Sequence, residues 1–134
     1  MPNESEKNYL EWIQKAEDDD LSAKVIIKEG GAPSTACFLS QQMAEKYLKS
    51  LLVFQEKSFP KAHDLLEIAT LLLSKSPGIE DLKEDLVLLN RYYIETRYPG
   101  DYPQFSLEEC QKAYEAAKRV KDFVLEKIHG GLSE

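Results

Sequence analysis

Apolar residues recur every three to four positions along most of the chain, the spacing that places them on one face of an α-helix. Glycine and proline interrupt this pattern in four clusters, at Gly30 to Pro33, Pro60, Pro77 to Gly78 and Pro99 to Pro103. The regular apolar and polar alternation of a half-buried strand does not occur. Because the connections are short, the pattern predicts an all-α fold, an up-and-down antiparallel bundle of four to five helices.

The first predicted helix covers about residues 4–29. Asn3 followed by Glu6 resembles a capping box at its start, and Gly30 and Gly31 are suited to end it. Its inward positions are Trp12, Ala16, Ala23 and Ile27. The spacing therefore predicts a long amphipathic helix that packs on the rest of the chain through one stripe.

The next three helices have recognisable first residues. Pro33 suits a first turn and opens a helix that runs to about Gln55, Asp64 can cap a short third helix, and Ser76 can cap a fourth helix that runs to about Thr96. The seam of the second helix is formed by Cys37, Gln41, Ala44, Leu48 and Leu51. Gln41 is the polar member of this seam, so we expect it to need a hydrogen-bond partner on another element.

The final helix begins with a second capping box, Ser106 with Glu109, and Gly130 and Gly131 are expected to close it. No internal repeat or low-complexity tract divides the chain. We therefore expect a single domain over residues 1–134, with an ordered core of about residues 4–128.

Composition narrows the possible functions. Hydrophobic residues make up 43% of the chain and its formal net charge is −7. The negative charge argues against duplex DNA as a partner, although net charge alone does not exclude RNA. No apolar segment is long enough to cross a bilayer, so we expect a cytoplasmic protein without membrane contact. Cys37 and Cys110 suit buried thiols, and without a cysteine or histidine cluster we predict no metal site and no resident cofactor.

One segment is specific enough to indicate a family. Residues 36–52, ACFLSQQMAEKYLKSLL, resemble the signature of HEPN domains, with a Gln pair followed by Glu-Lys and a Leu-Lys pair. Further matches follow the order of that family: Trp12 to Ala23 with an acidic residue near Asp19, KAHDL around His63, and Arg97-Tyr98-Pro99. Together these segments cover almost the whole chain.

The resemblance implies a bundle of four to five helices and frequent homodimerisation. It also implies a nucleotide such as ATP as ligand, a minimal nucleotidyltransferase as partner in a toxin–antitoxin-like pair, or RNA cleavage. RNA-cutting members resemble one another in an Arg, four to six other residues, then a His. Here Arg91 and Arg97 are followed by no His in that window, and Arg119 precedes His129 by ten positions. The enzyme question stays open, and the missing motif favours a binding role.

The candidate binding residues lie on the second helix. Gln42, Glu45 and Lys49 recur at helical spacing, and Lys46 lies one turn after Gln42. In one interpretation the stripe has no function: it is a solvated helix face in which a Glu45–Lys49 pair stabilises the helix by about 0.3–0.5 kcal/mol. In the functional interpretation, the two lysines meet phosphate and the Gln42 amide donates hydrogen bonds to a nucleotide or an acidic partner.

The remaining candidates are His63, Arg97, Tyr98 and Asp19. His63 precedes the expected cap at Asp64, which favours a capping or packing role over that of a general base, metal ligand or phosphoacceptor, with a ligand-facing role as the alternative. Arg97 can clasp Asp19 or Glu45, or can face an anion together with Tyr98. One of the two acidic residues Asp19 and Asp20 lies on the inward stripe of the first helix and can pair with Arg97 or His63.

Three functions therefore remain in competition. The first is a non-catalytic domain that binds a nucleotide, a nucleotidyltransferase partner, or both, as a homodimer. The second is a metal-independent ribonuclease that brings His63 and Arg97 together. The third is a protein-interaction module without a small ligand.

Overall fold

The computed structural model describes residues 8–59, 61–93 and 104–132, and every regular element within these ranges is helical. In chain order the elements are α1 (Tyr9–Glu29), α2 (Pro33–Phe54), α3 (Leu65–Thr70), a 3₁₀ helix (Pro77–Leu82), α4 (Lys83–Asn90) and α5 (Leu107–Leu132). The predicted all-α bundle is confirmed. Among the described residues, no helix is both long and apolar enough to cross a membrane.

Helix α1 begins later than its apolar pattern predicts. The backbone of Asn8 is extended, and its side chain accepts a hydrogen bond of 3.0 Å from the N–H of Leu10. This N-cap makes Tyr9 the first helical residue, so the predicted start near residue 4 is wrong. The predicted capping box at Asn3 and Glu6 lies outside the described residues.

The glycine pair after α1 ends that helix as predicted. Gly30 adopts a φ of 87°, in the left-handed region that glycine enters without a steric penalty. The N–H groups of Gly30 and Gly31 both donate to the carbonyl of Ile26 at 3.0 Å, which satisfies the helix end. The chain then reverses and α2 begins at Pro33.

Two of the predicted caps differ in outcome. Asp64 caps α3, because its Oδ1 accepts from the N–H of Leu66 at 2.9 Å. Ser76 makes no capping hydrogen bond, and its hydroxyl instead accepts from the Gln55 amide at 3.0 Å. The predicted fourth helix is also shorter than expected, because a 3₁₀ turn precedes α4, which ends at Asn90.

Helix α5 starts as predicted and continues past its expected end. The Ser106 hydroxyl accepts from the N–H of Glu109 at 3.0 Å, but Gly130 and Gly131 lie inside a helix that reaches Leu132. A Cβ added at Gly131 would lie 2.7 Å from Cε2 of Phe54. A larger residue at this position would therefore have to displace the Phe54 ring, which packs closely against α5 at the end of α2.

Helix α2 is the centre of the bundle and contacts α1, α3, α4 and α5. Tyr9 at the start of α1 packs on Phe54 at the end of α2, with ring centroids 5.0 Å apart, so these helices are antiparallel. Ser34 at the start of α2 accepts from the N–H of Phe105 at 2.9 Å, while Gly131 reaches Phe54. Helix α5 therefore runs alongside α2 in the same direction.

The core between these helices is continuous. Cys37 of α2 and Cys110 of α5 are both fully buried free thiols, and burial raises the pKa of Cys37 to about 12. The largest fully buried side chains include Tyr47, Leu48, Leu51, Leu52, Leu65, Ile68, Leu86, Leu89 and Tyr92. Each buried leucine stabilises the fold by roughly 1.5–3 kcal/mol relative to an exposed one. Packing in this core holds α2 in place, and with it the polar side chains on the other faces of that helix.

Candidate functional site

Glu45 is the centre of a hydrogen-bonded group on α2. Only 4% of the residue is exposed, although its carboxylate is charged and polar. Lys49 donates to Oε2 at 2.9 Å and Gln41 donates to Oε1 at 3.2 Å, because both residues lie one helical turn from Glu45. The Nδ1 atom of His63 lies 3.0 and 3.2 Å from the two carboxylate oxygens.

Lys49 is buried together with Glu45. Only 6% of the residue is exposed, and its Nζ lies 5.7 Å from the ring centroid of Trp12 and 5.4 Å from that of Phe59. These rings pack edge to face, so the ammonium group is covered by aromatic surface and by its carboxylate partner. The alternative of a solvated stripe is wrong for Glu45 and Lys49, and the amine of Lys49 is turned inward, away from any phosphate at the surface.

Gln41 and Gln42 complete the group. Gln41 is fully buried, and besides Glu45 its amide donates to the backbone carbonyl of His63 at 3.3 Å. Its oxygen accepts from Gln42 Nε2 at 2.7 Å. The buried amide of Gln41 therefore has the partner outside α2 that its seam position requires. Gln42 is half-buried, so it connects this group to the surface.

His63 is the exposed end of the group, because 43% of its side chain is accessible to solvent. Its ring stacks on Tyr93, with centroids 4.3 Å apart and planes inclined by 17°. Nδ1 faces Glu45, and among the described residues Nε2 has no hydrogen-bond partner. The imidazole is thus held by a carboxylate on one edge and an aromatic ring on one face.

The backbone around His63 is fixed by the next residue. Asp64 caps α3 and its Oδ1 also accepts from the Asn90 amide at 2.9 Å. Asn90 in turn accepts from the N–H of Leu65 at 2.8 Å. These bonds join the start of α3 to the end of α4, and they position the His63 ring next to Tyr93.

Lys46 and Asp19 lie next to this group. The amine of Lys46 bonds to the carboxylate of Asp19 on α1, and 23% of the lysine side chain is exposed. The predicted pairing of Asp19 with His63 is wrong, because Asp19 bonds to Lys46 and the carboxylate that bonds to His63 is Glu45. Arg97 and Tyr98, which were also predicted site residues, lie outside the described residues.

The other acidic residue on the inward stripe of α1, Asp20, is bound by α5. It accepts from Lys121 Nζ at 2.8 Å and from the Tyr114 hydroxyl. Burial opposes its ionisation, yet the hydrogen bonds from Lys121 and Tyr114 outweigh that effect and lower the pKa of Asp20 below its ordinary value. The predicted partnership of this position with His63 is therefore also wrong.

Tyr93, Trp12 and Phe59 belong to the site, although sequence patterns did not place them there. Tyr93 falls within the predicted fourth helix, which was expected to run to about Thr96, whereas it lies three residues after the end of α4 and stacks on His63. Trp12 was expected on the inward stripe, but nothing in its spacing indicates a contact with Lys49. Phe59 lies in the connection between α2 and α3, where no helical period gives a signal.

Two other features of the described residues lie apart from this site. A cavity of about 200 Å³ opens between α3, the 3₁₀ helix and α4, lined by Leu66, Ala69, Thr70, Leu73, Ile79, Glu80, Lys83 and Leu86. Within the described ranges, no group of three or more His, Cys, Asp or Glu side chains is placed to hold a metal ion. The polar group around Glu45 remains the best candidate for a ligand site.

Comparison with known proteins agrees with the fold. The HEPN domain family model matches residues 9–128. The chain is similar to ST0689, an archaeal HEPN homologue, with 28% identity, a TM-score of 0.73 and coverage of 90% of this chain and 98% of that one. It is also similar to TT1696 from Thermus thermophilus, with 30% identity, a TM-score of 0.78 and coverage of 89% and 97%. No curated protein matches the sequence.

Proposed function

Because this chain belongs to the HEPN domain family, we propose that it is a non-catalytic member that binds a nucleotide, a minimal nucleotidyltransferase partner, or both. The pair would operate in the manner of a toxin and its antitoxin, with this chain as a homodimer. The ligand would occupy the surface formed by Gln42, Lys46, His63 and Tyr93, which we call the His63 surface.

The orientation of the His63 ring supports this proposal most directly. A carboxylate at 3.0 Å and an aromatic ring at 4.3 Å hold a half-exposed imidazole in one position. Beneath it, Glu45 and Lys49 form a buried ion pair, an arrangement that contributes little net stability compared with apolar residues of similar size. The pair instead holds the carboxylate that orients one surface imidazole, which is the arrangement that a ligand at His63 would use.

The absence of the cleavage motif supports a binding role. No His follows Arg91 or Arg97 within the required window, and His129 is ten positions beyond Arg119. RNA cleavage without a metal needs a proton acceptor near the 2′-hydroxyl and a cation for the developing charge. The cation nearest to this contact, Lys49, is buried and its charge is already neutralised by Glu45, the residue that also bonds to His63.

The nucleotide half of the proposal is tested by calorimetric titration with ATP. We expect saturable binding that His63→Ala weakens at least about tenfold, which corresponds to 1.4 kcal/mol. Lys46→Ala should also weaken binding, and Lys112→Ala is its matched control because Lys112 also pairs with a carboxylate, Glu108, on exposed surface. No saturable binding, with or without a nucleotidyltransferase present, would remove this half.

The partner half is tested separately by co-purification. A minimal nucleotidyltransferase encoded next to this chain should co-elute with it in size-exclusion chromatography with light scattering, which also reports the homodimer. Charge reversal by Lys46→Glu should weaken that complex and leave the mass of this chain alone unchanged. Independent elution of the two proteins at micromolar concentration would contradict the partner half.

One observation favours the second candidate function, metal-independent RNA cleavage. The Glu45 carboxylate orients the His63 imidazole, and this is how a general base is commonly held. Incubation of the purified protein with labelled RNA in EDTA decides between the two functions. Cleavage that is lost in His63→Ala would favour the ribonuclease, whereas absent cleavage, or cleavage that survives this substitution, would count against it.

A further inference from the structure

The structure indicates which part of a nucleotide His63 recognises. Resting on the proposed nucleotide site, we infer that Nε2 of His63 accepts a hydrogen bond from an O–H or N–H group of the nucleoside. His63 is then not the residue that holds phosphate. The inference follows from the hydrogen bonds of Glu45.

The Glu45 carboxylate selects the tautomer of His63. Its oxygens accept from Lys49 Nζ at 2.9 Å and from Gln41 Nε2 at 3.2 Å. A carboxylate that accepts these hydrogen bonds has no proton to donate, so the proton between it and His63 belongs to Nδ1. The neutral imidazole is therefore the Nδ1–H tautomer, and its Nε2 has a lone pair.

A lone pair at Nε2 selects the chemistry of its partner. Phosphate oxygens of a nucleotide at neutral pH accept hydrogen bonds and offer no proton, so two acceptors would face each other. Ribose hydroxyls and the amino group of adenine both donate. The nucleoside therefore matches His63, and the phosphates must lie elsewhere on the His63 surface.

The surroundings of the ring agree with this assignment. Tyr93 covers one face of the imidazole, which leaves the edge containing Nε2 for a directional hydrogen bond. The charge of Lys49 is neutralised beneath the ring, so no excess positive charge there attracts phosphate. Lys46 is also paired with a carboxylate, that of Asp19, but it is the more exposed of the two lysines in the stripe, with 23% of its side chain accessible compared with 8% for Lys49.

The tautomer is tested without any ligand by ¹⁵N NMR of the imidazole nitrogens at pH 7.5. We expect a protonated Nδ1 and an unprotonated Nε2 at His63, with His129, the other histidine in the chain, as a reference in the same spectrum. Glu45→Gln should remove the exclusive preference, because a Gln amide can donate or accept. An Nε2–H tautomer, or a doubly protonated ring, would overturn the inference.

The recognised moiety is tested by titrating ATP, adenosine and inorganic tripolyphosphate. His63→Phe keeps a ring that can stack on Tyr93 and removes both nitrogens. It should weaken ATP and adenosine by the same factor, about tenfold for one lost hydrogen bond, and leave tripolyphosphate unchanged. Lys46→Ala should give the opposite pattern, with weaker ATP and tripolyphosphate and unchanged adenosine.

The source of the donor is identified with 2′-deoxy-ATP, 3′-deoxy-ATP and N6,N6-dimethyl-ATP. The analogue that lacks the donor should bind the unmodified protein and His63→Phe equally. If His63→Phe weakens tripolyphosphate, or if all three analogues still distinguish the two proteins, the inference fails while nucleotide binding stands. If neither ATP nor adenosine binds, the proposed nucleotide function and the inference both fail.

Discussion

Asp20 and Glu45 are two carboxylates buried to the same extent, with 4% of each residue exposed, and each bonds to a lysine. Their other partners differ. Asp20 on α1 accepts from Tyr114 and Lys121, which are 94 and 101 positions further along the chain on α5. Glu45 accepts from two residues of its own helix and from His63, 18 positions away.

This difference distinguishes a structural contact, at Asp20, from the candidate site at Glu45. The bonds of Asp20 join the first and last helices of the bundle, and both donors are side chains that the core encloses or partly encloses. The bonds within α2 add little to the fold, because Gln41, Glu45 and Lys49 are already positioned by their helix. What Glu45 adds is the orientation of a surface imidazole, which is the feature that the proposed function uses.

Replacing Lys49, the lysine that pairs with Glu45, should have the largest effect on the free energy of unfolding. Lys49→Met leaves a buried carboxylate without its counter-charge and should lower the free energy of unfolding by about 3 kcal/mol. The double variant Glu45→Leu, Lys49→Met removes both charges and should lie within about 1 kcal/mol of the unmodified protein. Urea unfolding followed by circular dichroism measures both values.

The double variant is also the sharpest test of the distinction drawn above. It should fold normally and bind ATP more weakly, since the carboxylate that holds Nδ1 of His63 is then missing. If the double variant is as unstable as the sum of its single substitutions, Glu45 is a structural residue like Asp20. If it binds ATP with unchanged affinity, the oriented imidazole is not part of the site.

At Asp20, by contrast, removing both charges of the ion pair should not restore the stability that is lost when one charge is removed. Asp20→Asn should cost about 2 kcal/mol, less than at Lys49 because Lys121 is partly exposed and can be solvated. Asp20→Leu with Lys121→Met should remain destabilised, because the hydroxyl of Tyr114 then loses its acceptor inside the bundle. Asp18→Asn on the exposed side of α1 is the control, expected within about 0.5 kcal/mol.

Acid should weaken the Asp20 contact in a defined direction. The hydrogen bonds from Lys121 and Tyr114 lower the folded pKa of Asp20 below 3.8, its value in an unfolded chain, against the opposing effect of burial. The stability from its ionisation is thus complete above that value and is lost as pH falls through the folded pKa. The difference in unfolding free energy between the unmodified protein and Asp20→Asn should stay constant down to about pH 3.8 and shrink as the pH falls below that value. A difference that stays constant below that value as well would contradict this assignment.

The helical framework was predictable because its signals are local. Asp64 and Ser106 cap helices from their own sequence neighbourhood, and the glycines after α1 end that helix through bonds to Ile26. The errors at Ser76 and Gly131 have tertiary causes. The Ser76 hydroxyl accepts a hydrogen bond from Gln55, and Gly131 lies inside a helix that packs closely on the ring of Phe54.

The site was predictable in part for the same reason. Helical spacing places Gln42, Glu45 and Lys49 on one side of α2, and this follows from sequence. Whether that side is solvated depends on Trp12 from α1 and Phe59 from an irregular connection, which cover Lys49. Helical periodicity does not show that two distant aromatic rings cover Lys49. From the sequence, a buried Glu45–Lys49 pair therefore could not be distinguished from an exposed one.

The smallest predicted effect concerns Tyr47, which lies near Asp20 in the core. Its ring is fully buried, and within the described residues its hydroxyl has no hydrogen-bond partner. Burial, followed by the charges of Asp20 and Glu17, raises its pKa, so the hydroxyl stays protonated.

Since an unsatisfied buried hydroxyl is unfavourable, Tyr47→Phe should raise the free energy of unfolding by about 1 kcal/mol and leave ATP binding unchanged. Tyr114→Phe, which removes a hydroxyl that does have a partner, should instead destabilise the fold by a similar amount, and equal signs for the two variants would show that Tyr47 also has a partner that stabilises it.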